Sequence, residues 1–350
     1  MSTPANDPWT IRRIVRWSAE DFGKRGIESG RLDAELLVAH ALGVDRVRLY
    51  MDLDRELSAE ELVSIRALVT RRRKREPVAY LLGQREFWGR RFAVTPAVLI
   101  PRPDTETLVE RALALLTGAE PVVGVDLAID QREHVAGLET HVEPAEPAIE
   151  EEASEAPPPS QAATAEPAKV EPSSELGARV LDLCTGTGAI GLTLACELTA
   201  ARVTITDVSE AALAIARANL EAFASKDPSL RERVTILQGD LFAALSKDAR
   251  FDLIACNPPY LAERELLECD PDVKDHEPHL ALVSGPRGDE ILARVIEGAR
   301  EVLAPGGTLL VEIGSTQGPS VRELFERAGY RGVRVLRDLG DRDRVVEGQR

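Results

Sequence analysis

Apolar positions along this chain follow two rhythms, with a stretch between them that follows neither. In the first hundred residues they recur at helical spacing. Ile11, Ile14, Val15 and Phe22 share one face, and Leu32, Leu36 and Leu37 share another ahead of Gly43, which is placed to stop a helix. Ser58 and Glu61 form a capping box that leads into Leu62, Ile65 and Val69. The pattern predicts a small helical domain over residues 1–84. Residues 85–94 then alternate around Gly89 as a short hairpin does. In Ile100-Pro101-Arg102-Pro103-Asp104-Thr105-Glu106 two prolines stiffen a loop, and Asp104 or Thr105 is placed to cap a helix through Leu108, Leu113 and Leu116. Residues 85–117 therefore read as a hairpin and a connecting helix.

From residue 178 to 350 the rhythm becomes strand, helix, strand. Apolar runs at 179–183, 203–206, 234–237, 251–255 and 308–312 alternate with amphipathic stretches such as 189–198 and 210–223. Such runs predict an α/β fold with a parallel sheet covered by helices on both faces. Residues 332–336 and 344–346 read as a closing hairpin.

Composition changes the picture most between these halves. The 350 residues carry a net charge of −16, yet residues 1–117 are slightly basic at +3, residues 178–350 carry −7, and residues 118–177 carry −12. That middle segment has 8 of the 22 prolines, the run Glu150-Glu151-Glu152, and no Phe, Tyr, Trp or Met. It predicts a disordered acidic insertion, unless the local apolar stretch 122–127 forms an interaction motif. The overall acidity therefore belongs mostly to this segment. Four cysteines without CxxC spacing predict a reducing, cytoplasmic compartment, and no zinc signature is visible. Neither a signal peptide nor a membrane-spanning run is apparent, so no membrane partner is expected.

Two motifs carry chemistry. Asp182-Leu183-Cys184-Thr185-Gly186-Thr187-Gly188 places a glycine-rich turn between the first strand and its helix, where a ligand must approach the backbone closely. Asp207 ends the next strand, where a carboxylate can accept hydrogen bonds from both ribose hydroxyls. Asp240 and Leu241, after the third strand, would flank a base. These features suit a nucleoside, but the GxGxxG spacing through Gly191 also satisfies a dinucleotide fingerprint. The second motif is Asn257-Pro258-Pro259-Tyr260, directly after the fourth strand. Two prolines remove two N–H donors and leave acceptors beside the Asn side-chain oxygen, which suits a planar NH2 group with Tyr260 against its flat face.

Together with Ile100–Glu106, Glu277-Pro278, Ala281-Leu282, Gly285, and Asp338 through Arg344-Val345-Val346, these motifs resemble the PrmC/HemK family of protein-(glutamine-N5) methyltransferases. The resemblance implies a Rossmann-like seven-stranded S-adenosylmethionine-dependent methyltransferase sheet as the catalytic domain over residues 178–350, with an N-terminal helical substrate-recognition domain over 1–84 and a connecting β-hairpin. It implies methyl transfer to the glutamine of the GGQ motif in class 1 peptide chain release factors, supporting translation termination, with no direct contact to nucleic acid. It places the cofactor S-adenosyl-L-methionine against Cys184, Thr185, Gly186, Thr187, Gly188, Asp207, Asp240, Leu241 and Asn257. Asn257, Pro258, Pro259 and Tyr260 would hold the substrate amide. Cys184 stands where the family usually has Gly, which implies that no positive φ is needed there. Leu241 replaces a frequent aromatic, which implies weaker stacking on adenine. NPPY alone also admits a ribosomal-protein glutamine methyltransferase or a nucleic-acid amino-methyltransferase. The run Arg71-Arg72-Arg73-Lys74-Arg75 reads either as an RNA contact or as a solvated helix end, and the seven acids of 261–280 as a rim for a basic partner or as ordinary soluble loop.

Overall fold

The computed structural model describes residues 8–119 and 177–350. Apart from its end residues, the segment read as an acidic insertion lies outside the described residues. The N-terminal helices are α1 (Ile11–Lys24), α2 (Gly30–Leu42), α3 (Arg46–Met51), α4 (Ala59–Arg72) and α5 (Val78–Leu82). Ile11, Phe22, Leu37, Leu49, Ile65 and Val69 form their shared core. Both bonds of the Ser58–Glu61 capping box are made, and Gly43 ends α2 at φ 65°. The buried face of α2 differs from the expected one. Leu32 faces solvent, whereas Asp33 and Glu35 are buried. Each carboxylate has cationic or hydroxyl partners: Asp33 pairs with Arg72, and Glu35 with Arg31, Arg46 and Tyr50. An apolar count cannot anticipate a polar face that is buried because it is paired.

Strands β1 (Gln84–Phe87) and β2 (Arg90–Ala93) form a hairpin whose two turn residues, Trp88 and Gly89, both have positive φ, the geometry that matches strand twist. Phe87 packs edge-on to Phe92, and Phe92 to Phe223 with a 4.9 Å centroid separation. A 3-10 turn, Pro103–Thr105, leads into α6 (Glu106–Thr117), which sinks Leu108, Val109 and Ala112 into the same core.

The strands of the C-terminal half are β3 (Arg179–Leu183), β4 (Arg202–Asp207), β5 (Val234–Gln238), β6 (Phe251–Cys256), the short β7 (Leu261–Ala262) and β8 (Val283–Gly285), β9 (Leu303–Glu312), β10 (Arg331–Arg337) and β11 (Asp343–Gln349). Seven of them form one sheet in the order β10-β11-β9-β6-β3-β4-β5. The five from β9 to β5 run parallel, and β11 is antiparallel to both β9 and β10. Helices α7 (Ala189–Glu197) and α8 (Glu210–Ala224) follow β3 and β4, and helices Glu290–Val302 and Gly318–Arg327 flank β9 in the chain. The chain steps outward from β3 through β5 and then returns to β6 on the other side of β3. A crevice forms at that reversal, beyond the carboxyl ends of β3 and β6.

The basic run and the acidic loop, read separately in the sequence, meet each other. Arg72 is buried between Asp33 and Asp272, at 2.8 and 2.6 Å. Arg75, at φ 68°, pairs with Asp270 and Asp272, and the His276 ring meets the Lys74 carbonyl. Arg73 pairs with Asp21 of α1 and, with help from Arg25, holds that carboxyl down to about 2. The four arginines of the run are thus spent within the chain, Arg71 on Glu76, and Asp270 and Asp272, two of the seven acids of the segment, are counter-charges to the run. Arg72 and Arg75 join the helical domain to the loop that follows NPPY.

Candidate active site

The crevice holds a cavity of about 360 Å³, within the range of small-molecule sites. Cys184, Gly186, Asp207, Asp240, Leu241, Asn257 and Pro259 all line it. Pro278 of the Glu277-Pro278 pair completes the wall with residues the sequence did not single out, among them Val98, Leu280 and Arg294.

On the nucleoside side, β3 ends at Leu183 and the chain turns sharply. Cys184 takes a left-handed conformation at φ 58°, which corrects the expectation that this position needs no positive φ. The turn is needed because it brings the Thr185 N–H to the Thr206 carbonyl of β4, at 3.0 Å. Cysteine bears the strain that glycine would avoid. Gly186 follows at φ 54°, and a Cβ there would enter open space. The Asp207 carboxylate accepts from the Gly186 N–H and the Ser209 N–H, each at 2.9 Å. Burial raises its pKa against these backbone bonds. It therefore fixes the loop while facing the cavity.

Thr185, Thr187 and Gly188 do not line the cavity. The Thr185 hydroxyl bonds the buried Asp182, which also accepts from the Gly191 N–H at 2.8 Å. Burial pushes the Asp182 carboxyl up to about 7. The Thr187 carbonyl accepts from Asn219 at 2.9 Å, and Gly188 opens α7 at φ 83°. The third glycine, Gly191, sits so close to β4 that a Cβ would come within 2.4 Å of Ile205. Asp240 lies exposed at the rim with its carboxylate paired to Arg294 at 2.6 Å. Leu241 is buried and left-handed at φ 50°.

On the acceptor side, Asn257 follows β6 and donates from Nδ2 to the Thr105 hydroxyl at 3.3 Å. Thr105 stands at the start of α6, but neither it nor Asp104 caps that helix with its side chain. The expected cap fails because the hydroxyl is turned to Asn257. Pro258 is buried away from the cavity. Tyr260 is likewise off the cavity wall, packed on the second core cluster with its carbonyl accepting from Gln317 at 3.0 Å. Burial pushes its phenol up to about 12. Glu277 of the Glu277-Pro278 pair accepts from the Ile100 N–H at 3.2 Å and from Arg102, tying the proline-rich loop to the acidic segment.

Glu312, at the end of β9, is the buried residue beside this site that sequence reading missed. An acid closing an otherwise apolar parallel strand is a signal that could have found it.

Residues 13–83 match the family model of the PrmC N-terminal domain, and residues 169–269 match that of the methyltransferase small domain. A protein of Geobacter sulfurreducens named release factor glutamine methyltransferase is 36% identical over 341 residues, covering 97% of each chain. Proteins of the same name are 36% identical in Rhodopirellula baltica, over the full length of both chains, and 36% identical in Escherichia coli K12, over 92% of this chain and 93% of that one. With helical domain, sheet and crevice all spanned by these alignments, the chain belongs to the release factor glutamine methyltransferase family.

Proposed function

We propose that this chain transfers a methyl group from S-adenosyl-L-methionine to the side-chain amide nitrogen of the GGQ glutamine in a class 1 release factor. The observation that carries this reading is that one cavity is lined both by Gly186 and Asp207 and by Asn257 and Pro259. The residues fit a nucleoside cofactor: the side-chain-free face of Gly186 opens into space, and Asp207 lines the same wall. Gly186 and Cys184 would hold it through the loop, Asp207 through the ribose, and Leu241 beside the base. Bound there, the cofactor supplies an electrophilic methyl group.

The chain's own residues supply orientation. An amide nitrogen is a poor nucleophile because its lone pair is delocalised into the carbonyl. The Asn257 Oδ1 is the cavity-lining acceptor that would hold the substrate NH2, favour its pyramidal form and aim its lone pair; the Pro258 carbonyl, the second acceptor expected from the sequence, lies off the cavity wall. Pro258 and Pro259 contribute no N–H to compete for the site. No strong base is required, because the nitrogen becomes acidic once it is alkylated and then releases its proton.

Asn257→Ala tests the scheme. Loss of one preorganised acceptor raises the barrier by roughly 2–4 kcal/mol, about 30- to 1000-fold in turnover, while cofactor affinity stays within about threefold. Turnover close to that of the unaltered protein would sink it.

A further inference from the structure

Asn257 can act as an acceptor only if its amide is held the right way round. An Asn side chain has a donor end and an acceptor end of nearly equal shape, and nothing within the residue decides which faces the substrate. Here the donor end is engaged, since Nδ2 donates to Thr105 Oγ1 at 3.3 Å. Thr105 is only 4% exposed, so water does not set the direction of its hydroxyl proton. The carboxyl of Glu312, itself 1% exposed, lies near enough that the Thr105 hydroxyl holds its pKa down against the effect of burial.

The strand register brings the three together. Cys256 of β6 pairs with Val311 of β9, so Asn257 and Glu312 leave the sheet side by side at its carboxyl edge. Thr105 reaches the same point from the proline-stiffened turn before α6. A hydroxyl has one proton. When Glu312 is ionised it can only accept; Thr105 donating to it leaves Oγ1 with lone pairs only, and the group toward Asn257 must then be the amide NH2. Without that acceptor, Thr105 could donate to Asn257 Oδ1 and turn the wrong end of the amide to the substrate.

A purely structural carboxyl would be expected to be fully paired. Instead Glu312 Oε2 is buried with no hydrogen-bond partner. The nearby cation, Arg344, is bonded to Asp338 at 3.1 Å and Asp104 at 3.2 Å. We propose that Glu312 and Thr105 are positioning residues that fix the amide of Asn257 with Oδ1 toward the substrate nitrogen. This rests on the reading of Asn257 as the acceptor of the substrate amide.

The test compares kcat, KM for the release factor and cofactor affinity in Thr105→Val, Thr105→Ser and Glu312→Leu, beside Asn257→Ala. Valine keeps the shape of threonine without the hydroxyl, and it lowers kcat about 10- to 100-fold with KM and cofactor affinity little changed. Serine restores the hydroxyl and brings kcat back to within about threefold. Glu312→Leu leaves the hydroxyl without its acceptor and lowers kcat in the same direction. It is also the variant that decides the matter should Thr105→Val fail to fold. Turnover at the unaltered level in folded Thr105→Val or Glu312→Leu, with Asn257→Ala inactive, overturns the positioning role alone. Full turnover in Asn257→Ala overturns the reading of the acceptor site beneath it.

Discussion

At the residue scale, the site depends on side chains used in ways their local sequence does not announce. Thr105 was legible as a helix cap because a threonine before an amphipathic run usually is one. Its partner Asn257 is 152 residues away, and no local pattern reports that distance. Glu312 is charged chemistry inside an apolar strand, and burial above all raises its carboxyl to about 7. The consequence for stability has a definite sign. The folded pKa lies above the unfolded value near 4.5, so the native state holds the proton more tightly, and stability falls as pH rises from about 4.5 to about 7. Asp182 acts in the same direction, so the variant-minus-unaltered difference is the quantity that isolates Glu312. Glu312→Gln, which does not titrate, gains stability relative to the unaltered protein across that window and keeps a constant difference above it. Urea midpoints at several pH values between 4.5 and 8 check this. A difference that does not change with pH would show that Glu312 titrates alike in both states.

At the scale of elements, the sheet was readable almost strand by strand. Parallel strands buried on both faces must be continuously apolar, and β3, β4, β5 and β6 each fall within a residue or so of the runs that predict them. Strand β9 starts five residues before its predicted start, because Ala304-Pro305-Gly306-Gly307 breaks the apolar run without ending the strand. Loop backbone was less legible. Cys184 adopts the left-handed geometry its residue type disfavours, because the path from β3 to β4 demands it. The union of α4 with the acidic loop was not legible, since Arg75 and Asp270 lie 195 residues apart and each run looks solvated by itself. Its energetic centre is Arg72, with a side chain 3% exposed between two carboxylates. Arg72→Ala leaves Asp33 buried without its counter-charge and costs roughly 3–5 kcal/mol. By contrast, Arg16→Ala breaks an exposed pair with Glu20 and shifts stability by less than about 1 kcal/mol. Urea denaturation of the two variants checks the contrast. Equal, small losses would mean that the buried cluster does not hold the helical domain in place.

At the scale of the whole molecule, the chain brings two chemistries to one crevice. The glycine-rich turn and Asp207 come from the outward half of the sheet, and Asn257 and Glu312 from the returning half. The proline-stiffened turn reaches across from the segment that joins the helical domain to the sheet. Much of the net charge of −16 lies in residues 118–177, and Asp270 and Asp272 of the remaining acidic loop are paired with Arg72 and Arg75, so overall acidity says little about the partner. The measurement that tests the central claim most directly uses the full chain, isotope-labelled S-adenosyl-L-methionine, and a panel of release factor, ribosomal proteins, tRNA and DNA, with the modified atom mapped by tandem mass spectrometry. The account predicts label on a single side-chain nitrogen, that of the GGQ glutamine of the release factor, and its loss with Asn257→Ala. Label on a nucleobase, on a ribosomal protein or on any other atom of the release factor would contradict it.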